Sequence, residues 1–283
     1  MSYEFTQFAR AHGVIIDHPI SDGVRRRCAT VHRPKKKNAW YRWDGHFGWV
    51  LPFDGGELEI FKSDKPMDAG RAAEFQRRVA AARDEREREY RDAAVTAQKI
   101  IASCTFGHHP YFTKKGLFGQ QGLIDKDGYL IVPMRNWQTN VLQSLQRIDD
   151  DGNKRFLDNG KAGGAVFKIG PPVGVTWLAE GYATALSVLE ALKAMYRSSD
   201  RVVCAFSAHN LKTVAMQMSG PRYIMADNDA PDQMGRQAGQ EAARATNLPW
   251  AMPEAEGTDW NDAWAAHGAQ ALVKPMRELL RKA

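Results

Sequence analysis

Residues 173–229 read VGVTWLAEGYATALSVLEALKAMYRSSDRVVCAFSAHNLKTVAMQMSGPRYIMADND. Short apolar runs alternate here with stretches of helical period. VGVTWLAE reads as a strand, YATALSVLEALKAMY as a helix, RVVCAFS as a strand, HNLKTVAMQM as a helix and PRYIMAD as a strand. Beyond them a helix is expected near Gly235 to Thr246, a fourth strand at LPWAMP, and a closing helix from about Asn261 to Arg281. Strands and helices that alternate at this spacing define a parallel sheet with helices on its faces.

Upstream of Pro171-Pro172 the texture differs. From Gly107 to Gly170 apolar runs flank the turn signals Asp127-Gly128 and Asp151-Gly152, the pattern of antiparallel hairpins. From Asp68 to Cys104 there is no proline, and Gly70 is the sole glycine. Phe75, Val79, Ala82, Tyr90, Ala94, Ala97 and Ile101 recur at helical steps, and RDEREREYRD sets opposite charges three and four apart. This is a long, largely solvated helix. Before it, Asp44-Gly45 and Asp54-Gly55-Gly56 punctuate an aromatic, basic segment that reads as a small antiparallel sheet from about Cys28 to Phe61. Four segments follow: a β-rich module at 1–66, a connecting helix at 67–105, an α+β part at 106–172 and the α/β array at 173–283.

The chain has 283 residues, 25% of them charged and 43% hydrophobic, the composition of an ordinary globular protein. No apolar run approaches the ~18 residues of a membrane span, and MSYEFTQFARAHGV has no signal-peptide core. Cys28, Cys104 and Cys204 are odd in number and far apart, which points to a reducing, cytoplasmic setting rather than a disulfide framework. No CxxC occurs, and Cys28 with His32 has no answering pair, so no zinc is expected. No GxxxxGK[ST] occurs, so no helicase motor is fused within this sequence. The formal charge of +6 is a mild pointer to a polyanionic partner.

In an open parallel sheet, ligands bind beyond the carboxyl ends of the strands. The first strand ends in Ala179-Glu180-Gly181, the third in Ala226-Asp227-Asn228-Asp229, and Gly257-Thr258-Asp259-Trp260-Asn261-Asp262 follows the fourth. Apolar strands that end in acids need compensation, and carboxylates gathered at one edge favour Mg²⁺ or Mn²⁺. That combination suits metal-assisted chemistry on phosphates. Each acid also has an ordinary reading: Glu-Gly as a turn, Asp-x-Asp as a loop or cap, and Asp259 as the cap of the last helix. The register of all of them at successive strand ends favours a site.

The region from about Val175 to Ala283 resembles the TOPRIM domain shared by primases, topoisomerases and some nucleases. LAEGYATALSV is similar to its first motif and IMADNDAPDQMGRQAGQEAA to its second, while GTDWNDAW resembles the acidic stretch of mobile-element primases. HPYFTKKGL, DGYLIVPMRN, LQSLQRIDDDGNKRFL and GGAVFKIG resemble the preceding half of phage and conjugative-plasmid primases, as RWDGHFGWVLPFDGG does more loosely. The resemblance implies a C-terminal TOPRIM domain preceded by an α+β primase-core subdomain and the small N-terminal β-rich module. It implies Glu180 as general base or acid, and Asp227, Asp229, Asp259 and Asp262 as Mg²⁺ or Mn²⁺ ligands. The five residues APDQM between Asp229 and Gly235 depart from the pattern, and Asp232 among them reads as loop.

The implied activity is synthesis of short RNA primers on single-stranded DNA from ribonucleoside triphosphates, with a replicative helicase on a separate chain as a further partner. A TOPRIM nuclease, or a non-catalytic DNA-binding or helicase-loading protein, is the alternative. Arg25, Arg26, Arg27, Lys35, Lys36 and Lys37, interleaved with Trp40, are candidates for tracking phosphates and stacking on bases. Lys114 and Lys115 are candidates in the core. Arg135 and Lys154 could also contact template or nucleotide, though surface charge is the preferred reading, and His108 and His109 read as loop residues rather than ligands.

Overall fold

The computed structural model describes residues 2–31, 33–52, 56–63, 68–231 and 237–282. His32, Asp54, Gly55, Asp232 and Gly235, on which parts of the sequence reading fall, lie outside the described residues. Two compact units divide the chain, Met1–Tyr90 and Arg91–Ala283.

In the first unit, helix α1 (Ser2–Ala11) precedes a five-stranded antiparallel sheet in chain order: β1 (Val14–Ile15), β2 (Arg26–Thr30), β3 (Ala39–Trp43), β4 (Gly48–Leu51) and β5 (Glu59–Phe61). The β-rich module expected at 1–66 contained no helix, yet residues 2–11 form one. They form a helix because Phe5, Phe8 and Ala9 lie on one face and have an apolar sheet to cover. Phe5 stacks on Trp43 with centroids 4.5 Å apart and meets Phe61 edge-on. Gly48 permits that approach: a β-carbon there would stand 2.7 Å from the Trp43 ring and 2.8 Å from Phe5. The opposite sheet face, with Trp49 and Leu51, packs on Phe75, Val79 and Ala82 of helix α2 (Ala69–Ala102). The β3–β4 turn is the one expected, with Gly45 at φ +97° and Asp44 Oδ1 accepting from the His46 and Phe47 amides.

In the second unit, β6 (Thr105–Gly107), α3 (Pro110–Lys114), β7 (Gly122–Ile124), β8 (Leu130–Asn136), β9 (Leu142–Ile148), β10 (Lys154–Phe156) and β11 (Ala165–Ile169) come first. The α/β array follows: β12 (Thr176–Ala179), α4 (Tyr182–Ala194), β13 (Arg201–Cys204), α5 (Ala208–Gln217), β14 (Arg222–Met225), α6 (Ala238–Arg244), β15 (Trp250–Ala251), α7 (Trp260–His267) and α8 (Gln270–Lys282). The closing helix is therefore two helices. Gly268, at φ +67°, ends α7, since only glycine takes that conformation freely.

One ten-stranded sheet runs through the unit in the order β10-β9-β8-β11-β13-β12-β14-β15, with β7 on β8 and β6 on β7. Strands β12 to β15 are parallel; β11 joins them antiparallel to β13. The mixed α/β class is as expected, an antiparallel part leading into a parallel one. From β12 the chain passes to β13 on one side, then returns to β14 on the other. That reversal opens a crevice at the carboxyl ends of β12 and β14, where ligands of such sheets sit. Beneath it, Trp177 donates to Asp200 at 3.0 Å, and Arg197 pairs with the same buried carboxylate at 2.6 Å.

Candidate acidic site at the strand ends

Glu180 leaves β12 and Asp227 leaves β14. These strands are neighbours, with Ala179 paired to Met225, so the two acids emerge side by side. Asp227 is half-buried, and its carboxyl is pushed well above the ordinary carboxylate range. Desolvation is the main cause, followed by the negative charges of Glu180, Asp259 and Asp229; Lys154 opposes them. The pattern of perturbation brings together the acids expected at three separate points of the sequence, apart from Asp262.

The loops that carry them are tied by backbone. The Asn228 amide donates to Thr258 O at 3.0 Å, and Gly257 donates to Asn228 O at 2.7 Å. The buried Asn228 side chain donates to Pro253 O at 2.9 Å. Gln237 Nε2 donates to Asp229 O at 2.9 Å, and the Gly239 amide faces Asp229 Oδ2 at 3.4 Å. Gly239 lets α6 sit on the Asp227 backbone, since a β-carbon there would lie 2.7 Å from Asp227 O.

Asp259 caps α7 by accepting from the Asp262 amide at 2.9 Å, while Asp262 Oδ2 accepts from the Asp259 amide at 3.0 Å. Both readings of Asp259 thus hold, as a cap and as a negative charge felt by Asp227. Asp262 is exposed and turns back to its own helix end, with Lys115 Nζ 3.8 Å away. Buried Asn261 sets α7 in place, donating to Lys115 O at 2.9 Å and Ser187 Oγ at 3.0 Å.

Thr184 and Tyr111 at this edge carry no signal in the sequence, whereas Lys154 is there a nucleotide contact second to surface charge. Lys154 is at the start of β10 and close enough to Asp227 and Gly181 to matter to both. Thr184, buried in the first turn of α4, directs Oγ1 to Asp227 Oδ1 at 3.5 Å. Tyr111 is buried beneath, at the start of α3. His109 caps that helix, its Nδ1 accepting from the Tyr111 amide at 3.2 Å while Nε2 meets Gly128 O at 2.9 Å.

The basic candidates have definite surroundings. Arg25 pairs with Glu89 at 2.5 Å and lies 4.3 Å over the Trp40 ring, while Arg27 lies 4.6 Å over the same ring. Arg26 holds Asp22 through two bonds, which lowers the Asp22 carboxyl to about 2. Lys35, Lys36 and Lys37 are exposed on the β2–β3 connection. Lys114 pairs with Asp151 at 2.8 Å.

Among the described residues no three His, Cys, Asp or Glu side chains form a group placed to hold a metal. Magnesium does not need a closed protein cage; it keeps waters and is held by one or two carboxylates plus substrate phosphates. The crowding that raises Asp227 is the kind a divalent cation relieves, so the residues present fit such an ion. No helix among the described residues is long and apolar enough to cross a membrane.

Residues 175–270 match the family model of the Toprim domain, and the strand ends just described are the acidic edge of that domain. Over 86% of its length the chain is 28% identical to a DNA primase TraC of Escherichia coli, of which it covers 25%. It is 27% identical over the same share to a second DNA primase TraC of Escherichia coli, of which it covers 18%. The chain thus spans a quarter or less of the curated relatives it matches. The primase fragment of the bacteriophage T7 primase-helicase protein superposes on 58% of this chain and 69% of its own, with a TM-score of 0.39 and 18% identity.

Proposed function

We propose that this chain is a DNA primase, joining ribonucleoside triphosphates into short primers on single-stranded DNA. The observation that supports it most is the meeting of Glu180, Asp227, Asp229 and Asp259 at one strand edge beside Lys154, in a chain whose curated relatives are named DNA primases. In this reading Asp227 and Asp229 hold Mg²⁺ or Mn²⁺, with Asp259 as a further acid. The ion, when bound, neutralises charge on the phosphates during transfer. Glu180 takes the proton from the attacking 3′-hydroxyl as it closes on the α-phosphorus. Lys154, beside Asp227 and Gly181, meets the phosphate oxygens in this reading. Asp262 serves the α7 cap rather than the reacting centre.

Residues 1–66 are proposed as an accessory DNA-binding module in which exposed Lys35, Lys36 and Lys37 track phosphates. Trp40 lies beneath Arg25 and Arg27, so it acts there as a platform for cations rather than for bases. Lys114 and Lys115 are further contacts on the core, and a helicase on another chain is the proposed partner.

The test is primer synthesis on mixed-sequence single-stranded DNA with labelled nucleotides and Mg²⁺ or Mn²⁺. Short products are expected from the wild type, and Glu180→Gln and Asp227→Asn should abolish them. Loss of template without products, in the wild type only, would instead make the protein a nuclease.

A further inference from the structure

Lys154 is the cation that opposes the acids around Asp227, and it stands on a short edge strand. Strand β10 has three residues and lies at one end of the sheet order, where β9 is its neighbour among the described residues. A strand so short, paired along one side, is held weakly by its own ladder. The place of Lys154 therefore depends on the turn before it, Asp149 to Asn153. Within that turn Asp149 accepts from the Asn153 amide at 2.8 Å and from Asn153 Nδ2 at 3.0 Å.

Helix α3 holds the turn from outside. His109, its cap, is 1% exposed. Nδ1 of the ring accepts from the Tyr111 amide at 3.2 Å, so the proton of the neutral imidazole is on Nε2. Nε2 donates to Gly128 O at 2.9 Å, between β7 and β8, and faces Asp150 Oδ1 at 3.3 Å, on the turn before Lys154. With both nitrogens engaged, the ring is fixed. The Tyr111 ring lies against Gly152, where a β-carbon would stand 3.6 Å from it. Lys114 also reaches Asp151, but both side chains are more than half exposed, and such pairs contribute little. The other end of α3 holds α7. Asn261 donates to Lys115 O at 2.9 Å and Trp264 to Gly116 O at 3.2 Å, and the cap of α7 is Asp259.

We infer that His109 is a positioning residue for the reaction. It fixes the turn that delivers Lys154, while the helix it caps fixes the start of α7. The spacing between the cation and Asp259 is thus set from α3. The part played by Lys154 rests on the primase reading. The path from His109 to Lys154 runs through Asp150, which is exposed and stands outside the acidic edge. His109 itself meets no reacting atom.

The experiment measures ATP affinity of the full chain in Mg²⁺ by equilibrium dialysis, which needs no synthesis, beside primer synthesis and melting. His109→Asn keeps an acceptor for the Tyr111 amide, since asparagine is a strong helix cap, but is too short to reach Gly128 and Asp150. It should raise Kd and KM for ATP about fivefold and leave kcat within about twofold, the pattern of lost uniform binding. Asp150→Ala should weaken ATP about two- to threefold, the scale of one exposed polar contact, without lowering the melting temperature. Asp150→Asn keeps an acceptor and should bind as the wild type does. In a Lys154→Ala background neither His109→Asn nor Asp150→Ala should weaken ATP further, because residues that act through one another do not add. Losses that do add to that of Lys154→Ala, or wild-type affinity in Asp150→Ala, would overturn the positioning role and leave the primase. A wild type that binds ATP and makes no primers refutes the primase reading, and the cycle with Lys154→Ala still decides the positioning role. A wild type with neither ATP affinity nor primers overturns both.

Discussion

Asn228 and Thr258 form an isolated antiparallel bridge, the Asn228 amide donating to the Thr258 carbonyl at 3.0 Å. Thirty residues of chain separate them, and each is flanked by an acid of the site. The bridge is the physical reason that Asp259 is felt by Asp227. Asn228→Ala keeps this backbone bond but strips the donor from buried Pro253 O. The expected cost is about 1–3 kcal/mol in denaturant unfolding, with loss of primer synthesis larger than the loss of folded protein accounts for.

Gly239→Ala tests how closely α6 must approach. Its β-carbon would lie 2.7 Å from Asp227 O, a backbone contact that cannot yield by turning a side chain. A destabilisation of about 1–3 kcal/mol is expected. Synthesis should fall as well, because the displaced strand end carries the acids proposed to act in the reaction. A variant with wild-type melting and activity would show that α6 is loosely held.

The raised carboxyl of Asp227 makes metal-free stability depend on pH. The folded group keeps its proton to higher pH than the unfolded one, so between the two values the native state binds more protons. Stability then falls as pH rises through that window. Asp227→Asn should therefore melt higher than wild type in EDTA at pH 8. The gap should close below the unfolded carboxylate range, and Mg²⁺ should narrow it at pH 8. Melting curves of both proteins at several pH values measure this directly; a variant that melts lower at pH 8 would mean that Asp227 is better solvated than its neighbours imply.

The basic residues of the first unit should separate into two classes. Lys35, Lys36 and Lys37 are exposed, so replacing all three by alanine should weaken single-stranded DNA binding. It should also shallow the salt dependence by roughly 2 in slope, at about 0.7 per phosphate contact. Arg25→Ala removes a guanidinium that pairs with Glu89 and covers Trp40. It should cost roughly 1 kcal/mol of stability and leave the salt slope nearly unchanged. Filter binding over a range of salt, beside denaturant melts, tells the two classes apart.

Much of this was legible before any coordinates. VGVTWLAE, RVVCAFS and PRYIMAD appear as strands because apolar runs of that length, bounded by turn residues, are a local signal. Glu180, Asp227 and Asp229 were visible as acids at strand exits for the same reason. Helix α1 was missed because its apolar residues are few and its helicity depends on the sheet that Phe5 covers. The break at Gly268 was missed because a lone glycine in a helical pattern is tolerated as often as it terminates.

The amino-acid sequence alone determined the parallel α/β array, the antiparallel part before it and the end of the sheet where acids gather. Those depend on periodicity and on residues adjacent in the chain. Tertiary structure alone decided which side chains meet at that acidic edge. Lys154, at the start of β10, comes within reach of Gly181 and Asp227 although its strand lies at the other edge of the sheet order. Asp259 is felt by Asp227 across the Asn228–Thr258 bridge, whereas Asp262 is exposed and turns back to the start of its own helix. Tyr111 came to lie beneath that edge because α3 packs against the first turn of α4. Strand order and helix packing bring together residues tens of positions apart, and no local pattern carries that information.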